Sequence, residues 1–395
     1  MANKKSWSQQ TKMVHEAMPR SAYGETAEAL YLTSGFSYAS AEQAAARFSE
    51  EEDGFIYSRF GNPTVRSFEQ RMMALEGAED ARATATGMAA VTACMMSLLK
   101  AGDHIVAARA LFGSCRYVVE TLLPRFGVAC TLVDGRDLDA WQAAMRPETK
   151  LLFLETPSNP LLEIVDMAGV AEIAHAQDAL LVVDNVFATP VLQRPLEFGA
   201  DIVIYSATKH IDGQGRCLGG IVLGSADYVE NHLANFIRQT GPSLAPFNAW
   251  IMLKSLETLA LRVDAHCANA EKLADFLLGQ NKVTRMVYPG HDSHPQYALA
   301  QKQMQRGSNL IAFEVAGGQE NAFKLANALE IALISNNLGD AKTLITHPAT
   351  TTHAKLSDAA KAELGITAGS LRVSVGLEDG QDLVDDFANA LSKLD

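Results

Sequence analysis

The sequence predicts an α/β protein: a large, mostly parallel sheet domain followed by a smaller C-terminal α/β domain. Three observations carry this. Past about residue 55, short apolar runs alternate with longer helical stretches, the pattern of βαβ units. The chain has 395 residues, and about 150 residues per domain implies two to three units. Its 48% hydrophobic content, with 28 Gly and 13 Pro, is that of a chain able to bury a sizeable core, so wholesale disorder and collagen-like repeats are excluded.

Residues 1–55 show no sustained period, and SAYGETAEALYLTSGFSYAS mixes small and aromatic residues as an extended arm would. Residues 56–250 are expected to form the large domain, with six strands at His104 to Ala108, Val128 to Val133, Leu151 to Glu155, Leu180 to Asp184, Asp201 to Tyr205 and Gly219 to Leu223. From about Pro246, AWIMLKSLETLALRVDAHCANAEKLADFLLG repeats apolar residues every three to four positions and reads as one long helix or a pair. Residues 251–395 then add strands at Val283 to Tyr288, Asn309 to Val315 and Ser370 to Val375, and a final amphipathic helix from Gln381. No fixed-period repeat or low-complexity linker separates the two domains.

With 33 Lys and Arg against 46 Asp and Glu, the net charge of −13 repels phosphate backbones and anionic lipid, so nucleic acid is not an expected partner. There is no apolar run of 18 residues and no secretory N-terminal stretch, so neither a membrane span nor a membrane partner is expected. The five cysteines, Cys94, Cys115, Cys130, Cys217 and Cys267, are widely and irregularly spaced, as reduced thiols are. A cytoplasmic location is the expectation. His291 and His294 form an H-x-x-H in PGHDSHP without carboxylate or thiol company, so no metal site is expected. His347 and His353 read as structural or near a substrate mouth, and Met72, Met73, Met88, Met95 and Met96 as helix core.

The informative segment is ADIVIYSATKHIDGQGRCLGGIVLG. Lys209 follows an apolar strand, at the carboxyl edge of the sheet where ligands bind in open α/β folds, and desolvation there lowers an amine's pKa. Read alone it is a surface lysine. Its neighbours argue otherwise: Ser206 and Thr208 supply hydroxyls for a phosphate, and Gly213, Gly215, Gly219 and Gly220 let backbone approach a ligand. Asp184 ends another apolar strand, and such a carboxylate could partner a protonated pyridine nitrogen and keep that ring an electron sink. Asn159, at the end of LLFLETPSNP, could reach a ring hydroxyl. Taken singly, Asp184 could equally cap a turn and Asn159 be a turn residue. Thr86, Gly87 and Met88 open a strongly apolar helix whose N-terminus favours an anion. Together these describe a site for a phosphorylated, aldehyde-bearing, ring-nitrogen cofactor, which is pyridoxal phosphate.

Six stretches extend the picture along the chain: YSRFGNPT (Tyr57 to Thr64), TGMAA (Thr86 to Ala90), ETPSNP (Glu155 to Pro160), VVDNVFATP (Val182 to Pro190), SATKHIDGQG (Ser206 to Gly215) and RVSVGLED (Arg372 to Asp379). With them the chain resembles the Cys/Met-metabolism (trans-sulfuration) enzymes that use pyridoxal 5'-phosphate on the type I aminotransferase-like fold. That resemblance implies that Lys209 is the Schiff-base lysine, Asp184 the pyridinium partner and Asn159 a ligand near the ring oxygen. It puts Gly87, Met88, Ser206 and Thr208 on the phosphate, and implies that Tyr57 and Arg59 reach the phosphate site of a neighbouring subunit, Tyr57 also touching substrate. A homo-oligomer follows, usually a tetramer built from active-site-sharing dimers. Arg372 matches the family's residue for the substrate α-carboxylate, a job suited to a planar bidentate guanidinium.

Three places depart from the common pattern. Phe112 in LFGSC stands where many members carry a Tyr that stacks on the ring, so stacking is kept and phenolic acid–base help is lost. Of the two residues expected at the reacting centre, Lys209 and Phe112, proton transfer falls to Lys209. Gly213, Gln214, Gly215 and Arg216 replace the usual residues after the lysine, and Asn337 takes the place of a frequent Ser beside the substrate. LFGSC and IDGQGRCLGG are similar to the O-succinylhomoserine sulfhydrylase branch. The implied reaction is γ-replacement: O-succinyl-L-homoserine and hydrogen sulfide give L-homocysteine and succinate, a step of methionine biosynthesis. Cystathionine γ-synthase and methionine or cystathionine γ-lyase are the alternatives on the same fold. A non-catalytic binding module is the rival from another class, opposed by the intact Lys209, Asp184 and Arg372 set, and a dinucleotide oxidoreductase lacks its G-x-G-x-x-G.

Overall fold

The structure is a computed structural model, and it describes residues 7–394. Its larger sheet contains strands β1 (Asp80–Thr84), β2 (His104–Ala108), β3 (Ala129–Val133), β4 (Thr149–Glu155), β5 (Leu180–Asp184), β6 (Ile202–Tyr205) and β7 (Gly220–Gly224), in the order β1-β7-β6-β5-β4-β2-β3. The pairs β2–β3, β2–β4 and β4–β5 are parallel and β1–β7 is antiparallel. Parallel strands are as a rule buried, and all five residues of β2 are, including His104, whose ring nitrogens meet the hydroxyls of Thr149 and Thr131.

The six strands anticipated in this half are present within two residues of their expected ends. A seventh, β1, has the sequence DARAT and no apolar run. It forms because Ala81 and Ala83 bury their methyls while Asp80 is paired by Arg66 and Arg82 at 2.7 and 2.8 Å. The pattern of polarity hides a strand whose charges neutralise one another locally.

By their contacts the residues divide into two compact units, each described by itself. One holds the described residues up to Leu98 with Ile204–Thr208 and Arg216–Thr258. In it the first segment has two short helices, Gln9–His15 and Ala41–Phe48, and a single buried apolar side chain before residue 56, Met13. Polar ties hold it instead: Glu28 pairs with the buried Arg71 and with Lys254, and Arg71 donates to the Glu16 carbonyl at 2.9 Å. Helix Pro63–Glu76 starts cleanly, since the Asn62 side chain accepts from Thr64 N–H and proline occupies the first turn. The region from Pro246 is a pair of helices, Pro246–Leu256 and Leu259–Leu278.

The other unit comprises Leu99–Val203, Lys209–Gly215 and the residues from Leu259 on. It carries a five-stranded sheet of β8 (Val283–Val287), β9 (Leu310–Val315), β10 (Leu333–Ile334), β11 (Leu344–Thr346) and β12 (Ser370–Ser374), in the order β10-β11-β12-β9-β8. β10 and β11 span two and three residues, too short for a period to show in sequence. One face of this sheet packs against Leu273, Leu277 and Phe387 from helices Leu259–Leu278 and Gly380–Ser392. On the opposite face Leu310 and Ala312 join Leu161, Phe187 and Leu338, and this second core fixes the loops that carry Asn159 and Asn337 beside Arg372 of β12.

Candidate active site

Lys209 lies just past β6, and its Nζ donates to Asn337 Oδ1 at 2.5 Å. Burial, and then the charge of Arg372, lowers its pKa to about 8. Arg372 is fully buried. Its Nη1 donates to Asn159 Oδ1 at 2.8 Å and its Nη2 to the Asn336 carbonyl at 3.0 Å, while its Nε is buried without a hydrogen-bond partner. Burial lowers the guanidinium pKa to about 10, partly offset by the negative charge of Glu155. Lys209, Asn337, Arg372 and Asn159 therefore form one connected cluster. A guanidinium with an idle buried N–H can accept a carboxylate without first giving up a partner.

Asp184 ends β5 and faces Glu155, its register neighbour at the end of β4. Burial raises the Asp184 carboxyl to about 7, opposed by the Val186 N–H it accepts at 3.1 Å. Glu155 is pushed well above the carboxylate range by burial and by the charge of Asp184, and accepts the Phe112 N–H at 2.8 Å. Sequence reasoning gave Asp184 a role and passed over Glu155, although the same signal, an acid closing an apolar strand, was available one strand earlier. For His353 it left two readings open, a structural role or a place near a substrate mouth. That ring is 2% exposed, with Nδ1 at 2.8 Å from Thr352 Oγ1 and Nε2 unpartnered, and burial followed by the charges of Arg372 and Arg116 lowers its pKa to about 4.

The remaining predicted residues lie in the other compact unit. Gly87 begins helix Gly87–Leu98, where Thr86 Oγ1 accepts the Ala89 N–H at 3.0 Å. A Cβ on Gly87 would stand 2.5 Å from the Ser206 Cβ, so only glycine lets the helix start lie against that hydroxyl. Met88 is the next residue of this first turn. Thr208 Oγ1 exchanges hydrogen bonds with Gly219, donating to its carbonyl at 3.2 Å and accepting from its N–H at 3.1 Å. Tyr57 is 43% exposed, and the Arg59 guanidinium lies over the Phe60 ring at 4.7 Å while donating to the Arg238 carbonyl.

The H-x-x-H histidines are engaged locally: His294 Nε2 meets the Leu162 carbonyl at 3.0 Å and His291 Nδ1 meets Ser293 Oγ at 2.8 Å. Among the described residues no group of three or more His, Cys, Asp and Glu could hold a metal ion, and no helix is long and apolar enough to cross a membrane. None of the five cysteines is joined in a disulfide.

Residues 10–392 match the family of Cys/Met metabolism PLP-dependent enzymes. The chain belongs to this family. It is 50% identical over 391 residues to the O-succinylhomoserine sulfhydrylase of Mycobacterium tuberculosis H37Rv, covering 98% of this chain and 96% of the relative. It is 42% identical over 387 residues to the L-methionine gamma-lyase of Treponema denticola, covering 97% and 96%. Among solved structures, a Campylobacter jejuni protein assigned as an O-acetylhomoserine (thiol)-lyase superposes with a TM-score of 0.94 at 31% identity, over 98% of this chain and all of that one, and it contains a pyridoxyl-lysine phosphate. The protein is thus a pyridoxal-phosphate-dependent enzyme of the trans-sulfuration type.

The residues present fit that cofactor. Asp184 is a buried carboxyl held by a backbone N–H, ready for a cationic ring nitrogen. The Gly87 helix start beside Ser206 is a cradle that any side chain would fill. Lys209 has an amine whose proton is loosened by burial, as covalent capture of an aldehyde requires.

Proposed function

We propose that the enzyme catalyses γ-replacement, converting O-succinyl-L-homoserine and hydrogen sulfide to L-homocysteine and succinate in methionine biosynthesis. The observation that carries this reading is the Lys209–Asn337–Arg372–Asn159 cluster: a loosened amine and a carboxylate-ready guanidinium joined through two asparagines. The succinyl ester and sulfide are supported by the sulfhydrylase relative at 50% identity. Bound pyridoxal phosphate supplies an electron sink for the substrate's α-carbon. With that cofactor bound, Asp184 would hold the ring nitrogen, Asn159 the ring oxygen, and Gly87, Met88, Ser206 and Thr208 the phosphate. Arg372 binds the α-carboxylate. Lys209 takes the α-proton and carries protons among the carbons in turn, with Asn337 aiming its Nζ, and Phe112 covers the ring without offering a proton of its own.

Elimination is the second reading, favoured by the L-methionine gamma-lyase relative at 42% identity. A competition assay separates them: homocysteine should form fastest from the O-succinyl ester with sulfide. Faster turnover of the O-acetyl or O-phospho ester, or of cysteine as thiol, overturns the substrate assignment. Release of ammonia and a keto acid from methionine at a comparable rate would establish the lyase.

In this reading the large domain, residues 56–250, binds the cofactor, residues 251–395 form the small domain, and the 1–55 arm contacts a neighbouring chain in a cytoplasmic homotetramer. Tyr57 and Arg59 then act on the neighbour's phosphate and substrate. Arg59→Ala should weaken cofactor retention by about 1.5 to 3 kcal/mol, the worth of charge-assisted contacts. Mixed Arg59→Ala and Lys209→Ala subunits should regain activity in hybrid sites; no recovery after full subunit exchange would mean that each site is built within one chain.

A further inference from the structure

His210 directly follows Lys209 and is 3% exposed. Its Nε2 lies 2.8 Å from Asn309 Oδ1, and the Asn309 amide nitrogen donates to the Val375 carbonyl at 2.9 Å and to Ser374 Oγ at 3.2 Å. Because a carbonyl only accepts, the Val375 bond turns the amide oxygen toward His210, so Nε2 carries the proton and donates. Burial, and then the charge of His266, lowers the His210 pKa to about 3, which keeps the ring neutral. Ser374 closes β12 two residues after Arg372, and its hydroxyl also accepts the Gly339 N–H at 2.8 Å. Gly339 has a φ of +69°, and a Cβ there would stand 2.7 Å from the His210 backbone nitrogen and 2.8 Å from its ring Cγ. The loop that carries Asn337 therefore lies directly against His210. Arg262, from helix Leu259–Leu278, fixes the backbone by donating to the His210 carbonyl at 2.7 Å.

We propose that His210 is a positioning residue: its ring, pinned through Asn309 to the end of β12, is the support that holds the Lys209 amine against the Asn337 amide. The inference rests on the role given above to Lys209 and deepens it with a residue that acts through Lys209 and Asn337. A side chain wanted only for bulk would not carry a buried polar ring, since taking polar atoms out of water costs stability. Three segments meet on this ring and its amide partner: the turn after Lys209, the Asn337 loop and the strand bearing Arg372. Hydrogen bonds fix direction as well as proximity, which apolar packing does not. Losing the Nε2 bond frees the ring, and a displacement of about 1 Å at the amine is enough to slow its chemistry by ~100-fold.

The test compares His210→Gln with His210→Asn. A glutamine NH2 reaches about as far as Nε2 and can keep the bond to Asn309; an asparagine NH2 reaches only as far as Nδ1 and loses it. Capture of pyridoxal phosphate by the cofactor-free chain, followed by the growth of the yellow band, should stay within about three-fold of wild type in His210→Gln and slow by about 10- to 100-fold in His210→Asn. Asn337→Ala should slow capture by itself. Added to His210→Asn, it should leave the rate within about two-fold of the slower single variant, because both changes disturb one contact. Equal rates in the two His210 variants, a native rate in Asn337→Ala, or single effects that multiply in the double variant overturn the proposal. So does failure of both His210 variants to fold, which would make His210 a residue of the fold alone. Capture involves neither ester nor thiol, so failure of the γ-replacement reading in the wild-type assay is seen separately.

Discussion

Lys209→Ala should abolish turnover and leave the cofactor removable by gel filtration, with at least about a hundred-fold loss if small amines partly substitute for the missing base. The wild-type protein should be yellow and, after borohydride reduction, carry the label on the peptide containing Lys209; a label on another lysine overturns the site. The pKa of about 8 adds a pH dependence with a definite sign. Below it the amine keeps its proton and cannot attack an aldehyde; above it the amine is neutral. Capture of pyridoxal phosphate by the cofactor-free enzyme should therefore accelerate as pH rises through about 8, well below the range of an exposed lysine. Because the Arg372 charge contributes to the lowering, Arg372→Ala should move that midpoint upward.

Much of this site was legible because it is written in strand ends. Lys209, Asp184 and Asn159 each stand just past or at the close of an apolar run, and a run of buried strand residues ending in a polar group is a one-dimensional pattern. The Lys209–Asn337 and Arg372–Asn159 hydrogen bonds join residues 128 and 213 positions apart, and no local period encodes them. They depend on the packing of Leu310 and Ala312 against Leu161 and Leu338. Glu155 escaped notice for a different reason. An acid at a strand end has many local uses, and only the parallel register that sets it opposite Asp184 shows how unusual its burial is. β1 was hidden because its strand face is made of alanines and its charges are satisfied by Arg66 and Arg82.

Arg372→Ala should lower kcat/KM for the amino-acid substrate by about 30-fold to several thousand-fold, corresponding to about 2 to 5 kcal/mol for deleting one side of a buried charge pair. Part of that loss is structural, because the same guanidinium holds Asn159 and the Asn336 carbonyl. The two contributions separate with a substrate analogue lacking the α-carboxylate. Wild-type enzyme should prefer the carboxylate-bearing substrate strongly, and the variant should lose that preference while retaining its residual rate on the analogue. Arg372→Lys keeps the charge without the planar fork, so KM should rise more than kcat falls if the contact is equally strong before and during reaction. If Arg372→Ala slows both substrates by the same factor, the residue only supports the Asn159 loop, and the α-carboxylate must be bound elsewhere.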